Sequence, residues 1–306
     1  MKKLLTIFVI LNILACVFFL TNKQHISHSS AKRIVCTTTI LADTAKQIAG
    51  DEWHITSLMG PGVDPHTYHA TEQDVHALAS AHLILYHGLH LEGKMVHLLE
   101  HMNQYTKSVG VCDLLPQEQL ISSEIEGIYD PHVWHDVALW KIVVQYIANV
   151  LVEIDPTKAD HYQKRAQEYL AKLTQLEAYI QNQINLIPLE QRVLITAHDA
   201  FSYYGLRYGI RVMGLQGVST DAEAGTRDIQ ELVQFIVANK IKAIFVESSI
   251  SPRNIQAVQH GVQAQNWRVA IGPELYSDAL GDIESDAKTY YDMVRFNTNV
   301  ITSSLS

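Results

Sequence analysis

The chain has 306 residues, of which 47% are hydrophobic and 18% charged, with a formal charge of −9. That length allows two domains, and that composition suits a packed core rather than a disordered chain. Without residues 1–31, which hold three lysines and no acid, 20 basic residues face 32 acidic ones; an acidic chain with no basic run is a poor partner for nucleic acid and a better one for cations.

Lys2-Lys3 precede an apolar run of 17 residues, Leu4–Leu20, and the polar stretch Thr21–Ser30 follows. A charged start and an apolar middle mark a signal for export, and residues 1–31 are assigned as a signal peptide or lipoprotein leader. Cys16 after Ile13-Leu14-Ala15 resembles a lipoprotein box, although Val17–Leu20 stays apolar where a mature lipoprotein turns polar. The run is also close to the length of a membrane span, so an uncleaved anchor is a second form of the same expectation. Cys36 and Cys112 then remain, and they read as two separate buried thiols rather than a disulfide.

Beyond the leader, short apolar strands alternate with amphipathic helices. Strands are expected at Ile34–Thr38, His54–Leu58, Leu83–Tyr86 and Ser108–Val111, with helices at Leu41–Ala49, Glu72–Ser80 and Gly93–Met102. Asp136–Ile154 has helical periodicity. After Asp155-Pro156, Thr157 to about Asn185 reads as one helix, with Tyr162, Ala166, Tyr169, Leu173, Leu176 and Ile180 three or four apart. About 29 residues would span roughly 43 Å, the dimension of a rigid spacer. Alternation resumes with strands at Val193–Thr196, Arg211–Leu215, Ala243–Val246 and Arg268–Ile271. The intervening helices are Ala200–Tyr208, Thr226–Asn239 and Pro252–His260, and the last is Ile283–Ile301. The expected fold is α/β: two parallel-sheet lobes, residues 32–156 and 188–306, joined by a long rigid α-helix over 157–187, with a site in the cleft between them.

Two triplets, Asp64-Pro65-His66 and Asp130-Pro131-His132, stand out. Proline fixes its own φ and pushes the preceding residue to an extended conformation, so each triplet is a stiff turn aiming an imidazole. His198 follows a strand in Thr196-Ala197-His198-Asp199, and Asp278 follows the last strand in Tyr276-Ser277-Asp278-Ala279. Ligands of open α/β sheets bind beyond the carboxyl ends of strands. Three neutral imidazoles and a carboxylate there would suit Zn²⁺, Mn²⁺ or Fe²⁺. Taken singly, such a residue is more often a hydrogen-bonded structural residue than a ligand, and with 16 histidines coincidence competes. His69, His76, His82, His87, His90, His97 and His101 fall within 33 residues at mixed spacing and read as surface or packing residues. His135 could substitute as a ligand, but helix geometry points it elsewhere.

Gly88–Met95 satisfies the first seven positions of a P-loop, but Met95 replaces the hydroxyl residue and Glu92 would repel phosphate. There is no His-Glu-x-x-His helix and no Gly-x-Ser-x-Gly elbow, and four protein ligands leave little room for a hydrolytic water. No catalytic residues are assigned.

Taken together, Asp64–Tyr68, Gly88–Glu92, Asp130–Trp134, His198–Tyr204, Glu223-Ala224-Gly225, Val246–Ser249 and Tyr276–Leu280 resemble the solute-binding proteins of metal-importing ABC transporters for zinc, manganese or iron. The resemblance runs from about Arg33 to Ile301. It implies two α/β lobes on one long helix, metal ligands at His66, His132, His198 and Asp278, a membrane permease as partner, and a monomer that is not an enzyme. It also implies a periplasmic or extracytoplasmic location. His198 stands where manganese-selective members usually carry Glu, which favours Zn²⁺; the absence of a long His-rich loop between the first two ligands leaves Mn²⁺ open. Glu247 and Asp199 are candidate partners of the imidazoles. Two rival readings are a secreted zinc hydrolase and a surface adhesin with a structural metal. Metal affinity is expected to fall as pH drops through about 6.5, the reference histidine value.

Overall fold

Strands come where apolar side chains alternate between two covered faces. In the computed structural model, which describes residues 32–123 and 127–306, β1 (Lys32–Cys36), β2 (Trp53–Ser57), β3 (Leu83–Tyr86) and β4 (Ser108–Gly110) form a sheet in the order β2-β1-β3-β4. β1 pairs with β3, and β3 with β4, in parallel, with Ile34 opposite Leu83 and Ile84 opposite Ser108. The leader assigned to residues 1–31, with Cys16, lies outside the described residues. Between the strands run α1 (Thr39–Ala49), α2 (Glu72–Ala79) and α3 (Val96–Met102). The Thr38 hydroxyl accepts the Leu41 N–H to start α1, and Thr71 and Asp74 cap α2 reciprocally.

The second half repeats the scheme. β5 (Val193–His198) pairs in parallel with β6 (Arg211–Gln216), and β7 (Ala243–Ile244) with β8 (Ala270–Ile271). The Phe245 N–H donates to the Ile195 carbonyl at 2.9 Å, setting β7 beside β5. The strands therefore lie in the order β6-β5-β7-β8, the order of the first sheet. Helices α6 (Ser202–Tyr208), α7 (Thr226–Asn239) and α8 (Arg253–Ala264) connect them.

Two helices lie between the halves in sequence: α4 (Val137–Ile154) and α5 (Ala159–Ile184), separated by a 3₁₀ turn at Pro156–Lys158. At 26 residues, α5 is about 39 Å long. It buries one stripe (Tyr162, Ala166, Tyr169, Leu173, Leu176, Ile180, Ile184) against α1, α4 and the last helix, α9 (Tyr290–Leu305). α4 is long and apolar enough by composition to cross a membrane, but Trp140, Val143, Val144 and Ile147 make it a core helix.

Burial follows the two-residue period of a strand. Ile34 and Cys36 of β1, Leu83 and Leu85 of β3, Leu194 of β5 and Phe245 beside β7 join one large central cluster with α4, α5 and α9. The alternate residues face outward: Val35 and Ile84 into a cluster with Leu78, Met95 and Leu99, and Ile195 and Ile244 into one with Ile236, Ile255 and Val258. Both sheets are thus covered on two faces. The last helix starts at Tyr290 rather than near Ile283, because Asp282 Oδ1 accepts the N–H groups of Glu284 and Ser285 in a turn, and Thr289 then caps the helix. α3 likewise starts at Val96, since 89–95 is a string of turns.

Candidate metal centre

The two Asp-Pro-His triplets fold alike. Asp64 Oδ1 accepts the His66 N–H at 2.9 Å, and Asp130 Oδ1 accepts the His132 N–H at 2.9 Å, so each aspartate closes a turn on the histidine two residues on. Asp130 does one thing more: Oδ1 also lies 2.7 Å from His132 Nδ1, fixing which ring nitrogen faces away. His198 is the last residue of β5, opposite Gln216. Gly214 of β6 permits this close pairing, since a Cβ there would stand 2.3 Å from the Asp199 nitrogen. Asp278 lies beyond the isolated bridge between Glu247 and Leu275. The carbonyl of its neighbour Ser277 is pinned by Trp134 Nε1–H at 2.8 Å, with His135 Nε2 at 3.1 Å.

These four side chains converge. Their ligand atoms lie within 4.8 Å of one another, and all four residues are buried. His66 Nε2 is 3.2 Å from His132 Nε2, which is 3.3 Å from His198 Nε2. Asp278 places Oδ1 3.5 Å from His132 Nε2 and Oδ2 3.4 Å from His198 Nε2. The three rings are mutually inclined by 50°, 82° and 67°, so they radiate from a common point rather than stack.

His198 and Asp278, like His132, are braced on their far sides. Glu247, 2% exposed, accepts the His198 N–H at Oε1 (2.9 Å) and sets Oε2 2.7 Å from His198 Nδ1. Ser249 Oγ donates to Asp278 Oδ2 at 3.2 Å. Asp199 instead accepts from Ser202 Oγ at the start of α6. The charges follow from this packing. Burial, reinforced by His132, holds the His66 imidazole down at about 3, so it is neutral. Burial opposes a proton on His198 too, but Glu247 and Asp278 outweigh it and hold the imidazole well above its usual value. Burial would raise the Asp278 carboxyl, yet His198, His132 and His66 together push it well below the usual range.

Several neighbours take structural roles. His135, held down at about 3 by burial, turns to Ser277 and packs on Phe201 with ring centroids 4.3 Å apart. Of the seven histidines between His69 and His101, six are exposed. His87 is buried, with Nε2 2.8 Å from the Thr38 hydroxyl and its ring 4.6 Å from Trp134. The P-loop look-alike is occupied by its own side chain: buried Glu92 accepts the N–H groups of His87 (2.8 Å) and Gly88 (3.2 Å) and the Thr37 hydroxyl (2.7 Å). Its amides are therefore not offered to phosphate. Sequence reasoning missed the second bond of Asp130 and the clasp of Trp134 and His135 on Ser277. The first was signalled by the aspartate of the triplet itself; the second joins residues more than 140 apart.

Residues 34–304 match the family model described as zinc-uptake complex component A periplasmic. The chain is 44% identical over 273 residues to the manganese-binding lipoprotein MntA of Bacillus subtilis, covering 89% of each. It is 45% identical over 273 residues to the zinc-binding protein TroA of Treponema pallidum, covering 89% of this chain and 88% of that one. Among solved structures, the periplasmic zinc-binding protein TroA from Treponema pallidum superposes with a TM-score of 0.88 at 44% identity, over 90% of this chain and 99% of that one. Fe(III)-bound YtgA from Chlamydia trachomatis superposes with a TM-score of 0.81 at 26% identity, over 90% and 98%.

Proposed function

The chain belongs to the family of zinc-uptake complex component A periplasmic proteins, and on that premise we propose that it captures a divalent transition metal outside the cytoplasm and delivers it to an ABC-type permease. The metal is cargo, held by His66, His132, His198 and Asp278, and no covalent chemistry is done on it. The observation that carries this reading is the spacing of the four ligands. A tetrahedral ion with bonds of about 2.0–2.1 Å sets its ligand atoms about 3.3 Å apart. Four of the six pairs here stand 3.2, 3.3, 3.4 and 3.5 Å apart, with Asp278 turning Oδ1 to His132 and Oδ2 to His198, and one ligand atom from each residue lies within 4.8 Å of the others.

We assign Zn²⁺ as the preferred cargo, because three imidazoles and one carboxylate form a borderline donor set and Zn²⁺ stands above Mn²⁺ and Fe²⁺ in intrinsic affinity. Relatives named for manganese and an iron-bound neighbour make Mn²⁺ and Fe²⁺ the alternatives. The lining favours a dication: Asp278, Glu247 and Asp130 are three buried acids at or directly behind the ligands. We further propose that residues 32–156 and 188–306 act as two lobes, with 157–187 as the helix between them, and that the protein works as a monomer. The hydrolase alternative would need an open coordination position and a general base, and four protein ligands fill a tetrahedral ion.

Metal content tests the reading. The stripped protein is equilibrated with equal Zn²⁺, Mn²⁺ and Fe²⁺, desalted and assayed by mass spectrometry beside His66→Ala/His198→Ala. One zinc per chain, lost in the double variant, is expected. No retained metal, or equal retention in the variant, would defeat the assignment.

A further inference from the structure

The two Asp-Pro-His turns differ in what holds them, and the difference singles out a residue far from either. Asp130 uses one oxygen on both the backbone and the ring of His132, and Tyr203 Oη donates to the Asp130 carbonyl at 2.9 Å. Asp64 bonds the His66 backbone alone, and its second oxygen faces outward. There it accepts the Thr67 hydroxyl at 3.1 Å and, at 2.6 Å, the hydroxyl of Thr220, which is 156 residues away. Among the described residues, no carboxylate meets the His66 ring as Asp130 meets His132 and Glu247 meets His198. At 4% His66 is also the most exposed of the four ligands. Its position therefore depends on its loop, and the loop depends on Thr220.

Thr220 is itself tied to the other side of the site. It lies just after β6, whose Gln216 pairs with His198; the Gln216 side chain donates to the Ala222 carbonyl at 3.1 Å, closing the 216–222 loop on its own strand. The next residue, Asp221, pairs with Lys94 at 3.1 Å, and a Cβ on Gly62 would lie 3.3 Å from the Ser248 carbonyl. One polar contact and a close backbone approach thus join the His66 loop, and a second polar contact joins the turn at Lys94, to the half that carries His198 and Asp278. The ion pair is 38% and 47% exposed, so it carries little by itself. The Thr220 bond is charge-assisted and half-buried, and it carries more.

We propose that Thr220 is a positioning residue for metal retention: through Asp64 it latches the His66 loop shut, and it governs how fast the bound ion leaves. The inference rests on the metal-capture reading above. The latch is polar and reversible, and it bridges the two halves beside the ligand nearest solvent. A partner that separated the two loops would free His66 first.

The test compares full-length wild type with Thr220→Val, which keeps the shape without the hydroxyl, and Thr220→Ser, which keeps the hydroxyl. Each is loaded with Zn²⁺ and mixed in stopped flow with excess chromophoric zinc chelator, and rates are extrapolated to zero chelator. Loss of a hydrogen bond to a charged group predicts release about tenfold faster in Thr220→Val. Thr220→Ser should stay within about twofold of wild type, association rates should not change, and metal-free Thr220→Val, which loses the same bond, should melt somewhat lower. Wild-type release from Thr220→Val, or equal acceleration in both variants, would overturn the latch. A wild type that takes up no zinc would defeat the capture reading itself; a wild type that holds zinc while Thr220→Val behaves identically would defeat the latch alone.

Discussion

Replacing Glu247 by Gln removes one charge from the back of the site while keeping the size of the side chain. Glu247 serves two donors at once, the His198 N–H at 2.9 Å and the Nδ1 side of the same ring at 2.7 Å. A carboxylate has an oxygen for each, but an amide has one oxygen and an NH₂ group. One donor of a fully buried histidine is then left facing another donor, at about 1–3 kcal/mol. Loss of the partner that orients a metal-binding imidazole costs about 10–100-fold in affinity, about 1.4–2.7 kcal/mol, so the two routes agree. Competitive zinc titration at pH 7.5 should therefore show Glu247→Gln binding about 10–100-fold more weakly. The metal-free variant should also lose the elevated protonation of His198, readable from the imidazole signals in NMR. Binding within twofold of wild type would refute the bracing role and leave the convergence of Glu247 on His198 without a function.

Two other outcomes follow from the same packing. The raised pKa of His198 in the metal-free protein means that its proton stabilises the fold fully below the unfolded value of about 6.5, a contribution lost as pH rises through the higher folded value. Zinc must displace that proton, so affinity should rise about tenfold per pH unit up to the raised value, above the 6.5 expected from a free histidine; titrations between pH 6 and 9 that stay flat would count against it. His66, held at about 3, should contribute nothing to that slope. Cys36 and Cys112 are buried and free, and burial pushes both thiols up. Cys36 ends β1 and Cys112 lies two residues past β4, and β3 runs between those two strands, a separation of two inter-strand steps or about 9–10 Å, beyond disulfide reach. Both should react with a maleimide only in denaturant, and a mass two protons lower than that of the free thiols would show the strand order to be wrong.

Much of this was legible because the informative signals are local. Alternating strands and helices follow from periodicity, and the two triplets follow from proline stereochemistry, so the parallel sheets, the long helix and the candidate ligands could be read residue by residue. Helix and strand ends were less legible, because they depend on side-chain bonds: Asp282 holds a turn that delays the last helix, and β7 and β8 are two residues each where apolar runs suggested four. Least legible were long-range partnerships. Nothing near Asp64 announces Thr220, and nothing near Ser277 announces Trp134; the sheet order brings them together. His87 and Glu92 lie in a stretch that looks like exposed histidines and a phosphate loop, and only the closure of that loop on Thr37 and Thr38 turns both inward.

The central claim is that three imidazoles and one carboxylate surround one metal ion, and zinc K-edge X-ray absorption on the zinc-loaded protein tests it most directly. Three histidine nitrogens at about 2.0–2.1 Å, with the outer-shell scattering of imidazole rings, and oxygen at about 2.0–2.2 Å are predicted. A shell containing sulfur, or one with fewer than two histidines and mainly water oxygens, would contradict it.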